Sequence, residues 1–395
     1  MPNDLVLIPR TRITANTDFS QLVCKWEATN KLVELFDTPE KIANEWIGKF
    51  VLSNNPDNQG LRKPQIGALH STAAYFYNDT LKEPATVVLP TGVGKTETMI
   101  AWMLYKRIPK VIVLVPSIVL KKQIGDKFLN LGILQKIGVI PEGLPGPRVC
   151  ILNSKIANVE EAKELAKHCN VIVTIPTVLD LSGEEVTKEL IGNFDNLFID
   201  EAHHAPARTW NLVRNYLGHG KILQFTATPF RNDGKHIGGN IIFNYKLSEA
   251  QADNVFKKIR VTTIEEYGEL ENRDRKIAQK AVEILRQDIS SNLDHRLMAR
   301  VDSISRAEEL LLLYQGLAQD LQPVAIHSEQ PKALNRSNIQ RLITGPAKIA
   351  ICVDSLGEGF DLPELKIAAI HDPHKSLTVT LQFIGRFTRQ DPTLG

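Results

Sequence analysis

The sequence predicts an α/β protein built from two tandem parallel-sheet units, and three observations carry that expectation. Short β-branched runs recur: "TVVL" (86–89), "VIVLV" (111–115), "VCIL" (149–152), "VIVT" (171–174), "NLFI" (196–199) and "ILQF" (222–225). They are nearly continuous in apolar character, as strands covered on both faces by helices should be. Helical stretches such as "NVEEAKELAKH" (158–168) lie between them, with Asn158 placed to act as an N-cap, which is the rhythm of βαβ units. After the polar, turn-rich passage "RNDGKHIGGN" (231–240) and the segment "YKLSEAQADN" (245–254), the rhythm restarts. Its strands are "RLMARV" (296–301), "PVAIH" (323–327), "KIAICV" (348–353) and "KIAAI" (366–370). The expected units are 60–250 and 255–395. Residues 1–59 form a short helical segment ahead of them, where Thr38, Pro39 and Glu40 read as an N-cap, a proline at N1 and an acidic first turn.

Composition limits the function classes. A chain of 395 residues suffices for about two or three domains, and 43% hydrophobic with 23% charged residues excludes wholesale disorder. A net charge of only +2 means that any nucleic-acid contact must come from a local stripe. Four cysteines (Cys24, Cys150, Cys169, Cys352) stand far apart without a C-x-x-C, which argues against a disulfide framework or a zinc module and for a reducing cytoplasm. The longest apolar run, 111–120, is too short for a bilayer and contains Pro116. The N-terminus has no signal-peptide pattern. No membrane role is expected.

A phosphate site is written in "VVLPTGVGKTETM" (87–99), where Gly92, Gly94, Lys95 and Thr96 lie between a buried strand and a helix. Glycines let backbone N–H groups curl around phosphate oxygens, and a helix N-terminus adds its positive dipole end. Lys95 suits β- and γ-phosphates and the Thr96 hydroxyl suits Mg²⁺, although Leu89 stands where the strict pattern has its first glycine. A hundred residues on, "NLFIDEAHHAP" (196–206) runs a strand into Asp200 and Glu201. Two adjacent carboxylates at a strand end can divide the work: Asp200 on the metal, Glu201 on the attacking water. His203 and His204 diverge in direction and have no cysteine nearby, so His203 reads as a sensor of nucleotide or substrate state and His204 as structural.

With "TGVGKT" and "DEAH" in order, the chain resembles a superfamily 2 helicase or translocase, and the other motifs follow over about 61–390. The resemblance implies two tandem RecA-like domains with an ATP cleft between them, and an Mg²⁺-dependent ATPase. "LRKPQIGAL" (61–69) resembles the Leu-Arg-x-x-Gln element, implying that Gln65 reads adenine with Arg62 beside it. Thr91, Gly92, Val93, Gly94, Lys95, Thr96 and Glu97 then form the nucleotide cradle. "VPSIVLKKQ" (115–123) resembles motif Ia and "TIPTVLD" (174–180) motif Ib, both of which grip a nucleic-acid backbone. "FTATPFR" (225–231) resembles motif III, which implies coupling through Thr226 and Thr228. "VDSLGEGFDLP" (353–363) resembles motif V, bringing Gly359 and Asp361 to the nucleotide, and "QFIGRFTR" (382–389) has the Gln-x-x-Gly-Arg-x-x-Arg form of motif VI. "DEAH", "TATPFR", "EGFDLP" and "YKLSEAQADNVFKK" (245–258) resemble the restriction-enzyme-like and excision-repair-like branch, whose members mostly translocate on DNA, commonly 3′ to 5′.

Gln382, Arg386 and Arg389 are spaced four and three apart, so a helix over 376–389 would put them on one face. The resemblance makes Arg386 and Arg389 arginine fingers from the second unit. For the nucleic acid, Pro116, Ser117, Lys121, Lys122, Thr174, Thr177, Arg231 and Arg300 are candidates at predicted strand ends, suited to phosphates without base readout. The leading expectation is a DNA motor core serving phage defence, restriction or repair. A nucleic-acid-gated switch controlling an effector such as a nuclease is the alternative, and a protein-directed P-loop ATPase is disfavoured by motifs V and VI. Only six residues follow Arg389, so the second unit is expected to continue beyond Gly395 in the intact protein.

Overall fold

A computed structural model describes residues 6–7, 38–52, 60–78, 83–202, 213, 215–218, 220–227, 237–255, 260–353, 362 and 364–372. The chain forms two compact units, Met1–Lys246 and Leu247–Gly395. The first holds strands β1 (Val6–Leu7), β2 (Ala85–Val88), β3 (Val111–Leu114), β4 (Val149–Ile151), β5 (Val171–Thr174), β6 (Asn196–Ile199), β7 (Lys221–Thr226) and β8 (Asn240–Asn244). They build one parallel sheet in the order β1-β4-β5-β3-β6-β7-β2-β8. Strands β2 to β6 are buried along their whole length, which is why each read as an unbroken apolar run.

The helices of this unit are α1 (Pro39–Asn44), α2 (Lys63–Tyr77), α3 (Lys95–Lys106), α4 (Ile118–Leu129), α5 (Val159–His168), α6 (Pro176–Ser182) and α7 (Glu184–Gly192). The expected caps are present. Thr38 accepts from the Lys41 amide ahead of Pro39, and Asn158 Oδ1 accepts from the Glu161 amide at 2.9 Å. Where the sequence suggested a separate segment over 1–59, its described part is tied to the first unit. Trp46 is buried and donates Nε1–H to the Pro145 carbonyl at 2.8 Å, while Asn170 reaches the carbonyls of both Pro39 and Pro109. Strands β1 and β8 lie where none was expected, one in that segment and one at the end of the turn-rich passage. Both are sheet edges, where a short or half-exposed strand needs no long apolar run.

The second unit opens with α8 (Leu247–Ala252), placed before the expected start at 255, followed by α9 (Leu270–Ser290). Strand β9 (Arg296–Val301), α10 (Ile304–Ala318), β10 (Val324–Ile326), α11 (Lys332–Thr344), β11 (Ile349–Val353) and β12 (Leu365–Ile370) complete it. All four strands are parallel, in the order β10-β11-β9-β12. Helices α9 and α10 cover one face with Ala278, Leu285, Leu310 and Tyr314, and Leu342 of α11 packs with Met298 and Cys352 in a second apolar cluster. No described helix is long and apolar enough to cross a membrane.

A polar network crosses the end of this second sheet. His371, directly after β12, bonds Asp274 through Nδ1 at 2.9 Å and the Tyr314 hydroxyl through Nε2 at 3.0 Å. Asp274 also takes a 2.6 Å bond from Arg306, whose guanidinium faces Asp372. Burial pushes the Tyr314 phenol far above its ordinary range, so it keeps its proton. Burial alone would raise the Asp274 carboxyl, but the bonds from His371 and Arg306 outweigh it and hold it below its ordinary 3.8. A carboxylate lowered in the folded state adds stability above its unfolded pKa, and that contribution fades as pH falls through the folded value. Asp274→Asn is therefore expected to cost roughly 3 kcal/mol near neutral pH. The gap between variant and wild type should close as pH drops below 3.8, read from thermal unfolding of both proteins across pH.

Candidate nucleotide site and the loops beside it

In a parallel sheet every strand ends on the same edge, and ligands of such sheets bind outside the carboxyl ends. Along that edge of the first unit, β5, β3, β6, β7 and β2 end in turn. They deliver Thr174, then Pro116 and Ser117, then Asp200 and Glu201, then Thr226, then the Thr91–Thr96 loop. The ladder sets these positions closely. Asp200 N–H donates to the Leu114 carbonyl at 2.9 Å, and Leu89 N–H to the Thr226 carbonyl at 2.9 Å, so pairing extends one residue past each strand.

The phosphate loop turns on two left-handed residues, Gly92 (φ 91°) and Gly94 (φ 103°). A side chain at Gly94 would place its Cβ 2.4 Å from Gln65 Nε2. Arg62 donates to the Gly92 carbonyl at 3.0 Å and Gln65 Nε2 to the Gly94 carbonyl at 3.2 Å, while Gln65 Oε1 accepts the Arg62 amide at 2.8 Å. The resemblance gave Gln65 and Arg62 an adenine-reading role, and here both brace the loop backbone. Val93 is fully buried and anchors the turn, and Thr96 is half-buried in the first turn of α3. Gly94 caps α3 without a side chain, which leaves the first helical N–H groups facing outward. Thr91 Oγ1 is buried with no hydrogen-bond partner among the described residues.

Lys95 and Glu201, 106 residues apart, meet as a buried ion pair. Glu201 holds φ +47°, a left-handed conformation that costs a glutamate about 1 kcal/mol or more. Its amide donates to Asp200 Oδ1 at 3.1 Å, so the two carboxylates are fixed in different directions. Asp200 and Glu201 are 7% and 8% exposed, which makes both available only from the loop side of the edge.

The structure places the other expected contact residues as follows. Glu97 borders the loop with one carboxylate oxygen and accepts a 2.8 Å bond from Lys127 of α4 with the other. Lys121 is buried, its ammonium donating to the Leu152 carbonyl at 2.8 Å, and burial lowers its pKa. Arg300 is equally buried, donating to the Asp372 carbonyl at 2.5 Å, and Thr174 and Thr226 are fully buried. Lys122 is exposed and bonded to Asp126; Thr177 is exposed; Pro116 and Ser117 are half-buried, with Ser117 capping α4 through the Leu120 amide. His203, Thr228, Arg231, Gly359, Asp361, Gln382, Arg386 and Arg389 lie outside the described residues. Sequence reasoning missed Lys127, for which no motif gives a signal.

Comparison with known proteins bears on the same regions. Residues 58–231 match the family model "Type III restriction enzyme, res subunit", and residues 279–391 match "Helicase conserved C-terminal domain". Over 340 residues the chain is 24% identical to a protein named helicase 22 of Sulfolobus islandicus filamentous virus (isolate Iceland/Hveragerdi), covering 76% of this chain and 57% of that one. It is 28% identical over 247 residues to the DNA 3′-5′ translocase XPB2 of Sulfurisphaera tokodaii, covering 58% and 48% respectively. The chain thus spans about half the length of these curated relatives. Its fold is similar to a fragment structure described as an HsdR subunit of a type I restriction enzyme from Vibrio vulnificus YJ016. The TM-score is 0.56 at 17% identity, covering 89% of this chain and 64% of that one.

The loop geometry gives a test. Gly94→Ala is expected to weaken nucleoside triphosphate binding about tenfold or more, since the left-handed backbone alone costs an alanine roughly 1–2 kcal/mol. Gln65→Ala in the same background removes the clash but leaves that backbone cost, so calorimetric titration should show only partial recovery.

Proposed function

We propose, from the premise that this chain belongs to the superfamily 2 helicases in their Res/XPB-like branch, that it is an ATP-hydrolysing motor core that moves along DNA. The observation that carries the reading is the buried Lys95–Glu201 ion pair, which joins the phosphate loop to the carboxylate pair at one sheet edge. The residues present fit a triphosphate. Outward N–H groups at the start of α3, the absent Cβ at Gly94 and the unpartnered Thr91 hydroxyl form a small, donor-rich cradle.

ATP with Mg²⁺ would supply the γ-phosphoryl group and a positive charge that neutralises the phosphates. The loop amides and Lys95 bind phosphate oxygens there, and Lys95 exchanges Glu201 for them. Glu201, released, orients a water molecule and accepts its proton. Thr96 and Asp200 would hold the metal ion. The motif VI pattern assigns charge stabilisation to Arg386 and Arg389, and the motif V and VI patterns assign nucleotide recognition to Gly359, Asp361 and Gln382. His203 and Thr228 belong to the coupling set.

DNA is favoured as substrate by the name of the XPB2 relative and by the restriction-subunit family model. Pro116, Ser117, Thr177 and Lys122 supply hydroxyl, backbone and cationic groups suited to phosphates at the β3 and β5 ends of the same edge. Restriction, phage defence or DNA repair in the cytoplasm is the matching role, with a nuclease or other effector as partner.

Comparing ATPase activity without nucleic acid and with single-stranded DNA, duplex DNA and RNA tests this reading. Stimulation by DNA is the expected result, and no stimulation by any of them rejects it. Stimulation without translocation would make the chain a nucleic-acid-gated switch. Lys95→Ala is expected to abolish nucleotide use. Glu201→Gln should bind ATP normally and lower kcat by about 100-fold or more, in line with loss of a general base. Arg389→Ala should spare binding and lose hydrolysis, measured by paired binding and turnover assays.

A further inference from the structure

Helix α4 is pinned at three places. Ser117 caps its start and follows β3, Lys121 ties its buried face to the Leu152 carbonyl at the end of β4, and Lys127 bonds Glu97 near its far end. It also lies hard against β4: a Cβ on Gly125 would come within 2.6 Å of Ile151, so the helix has no room to slide inward. Nine residues separate Ile118 from Lys127, which is about 14 Å of rigid helix.

The Glu97 end matters because of where it sits. Glu97 lies in the first turn of α3, two residues after Lys95, and its side chain is 9% exposed. Its second carboxylate oxygen lies 3.3 Å from where a Gly94 Cβ would stand, and the Gly132 turn after α4 packs on the same side chain. Glu97 therefore stands between the phosphate loop on one side and the end of α4 on the other. The carboxylate is nearly buried while Lys127 is 38% exposed, so the pair joins the interior of α3 to the surface end of α4.

We propose that Lys127 is a positioning residue that couples the phosphate loop to the Pro116–Ser117 loop through Glu97 and the rigid body of α4. The inference rests on the reading above that nucleic acid stimulates ATP hydrolysis and that Pro116 and Ser117 meet it. Glu97 holds the nucleotide end of the strut, Lys127 transmits, and Ser117 sits at the other end. An ion pair that served only to hold the fold would add stability without linking the two loops.

The test uses the full chain and measures steady-state ATPase with and without a single-stranded DNA oligonucleotide. Lys127→Met keeps the aliphatic stem and removes the charge. It is expected to leave basal kcat and the ATP KM near wild type and to cut DNA stimulation by about fivefold or more, the lower range of coupling between linked sites. Lys127→Arg should keep stimulation, and the charge exchange E97K/K127E should restore part of what Lys127→Met loses. Equal stimulation of wild type and Lys127→Met overturns the inference and leaves the motor reading standing. A parallel fall in basal kcat and stimulation, or a lowered unfolding temperature in both Lys127 variants, shows a structural role and also overturns it. If wild type itself is not stimulated, the motor reading and the inference fall together.

Discussion

The meeting of Lys95 and Glu201 depends on strand direction more than on either residue. Strands β2 and β6 are separated only by β7, and neighbouring parallel strands stand about 4.8 Å apart. Their ends are thus about 10 Å apart, a gap that a lysine and a glutamate span from opposite sides. Were β6 antiparallel to β2, its carboxyl end would lie on the opposite edge and the pair could not form. The registers Val88 with Thr226 and Ile199 with Gln224 then fix how far each loop projects. Everything proposed for the nucleotide site follows from this alignment.

How much of this was legible follows from what periodicity reports. Continuous apolar runs mark strands buried on both faces, so the central strands and the residues leaving their carboxyl ends could be read from the sequence. Edge strands β1 and β8 could not, since one is two residues long and the other pairs asparagines with half-exposed apolar residues. Lys121 and Lys122 show the limit at single-residue scale. Adjacent helical residues point about 100° apart, so the pair could not share one surface; which of them turned inward depended on the distant Leu152 carbonyl. Long-range partners such as Lys127 for Glu97 leave no local pattern at all.

The second unit uses a different stabilising logic at the matching edge of its own sheet. There Tyr314, His371, Asp274, Arg306 and Asp372 link α9, α10 and the exit of β12 through side-chain hydrogen bonds and ion pairs. Such a buried polar set is costly unless its charges are paired, and here each charged group meets an opposite one, although Arg306 Nε makes no hydrogen bond among the described residues. The result is a fixed position for the chain at Asp372, ten residues before Gln382 of the Gln-x-x-Gly-Arg-x-x-Arg pattern. Rigidity at this point has a use that bulk packing of apolar residues would not serve, because directional bonds fix orientation as well as position.

The strained backbone at Glu201 explains why two adjacent carboxylates can have separate tasks. Asp200 still belongs to the ladder, its amide held by Leu114, and its side chain takes the Glu201 amide. The left-handed step at Glu201 then turns the chain out of the strand direction and aims the second carboxylate back toward β2. An extended residue there would continue the strand and put its side chain on the opposite face from Asp200. The conformational cost is therefore tied to the ion pair: the sheet supplies the rigidity that holds Glu201 in place, and the turn supplies the direction that lets it reach Lys95.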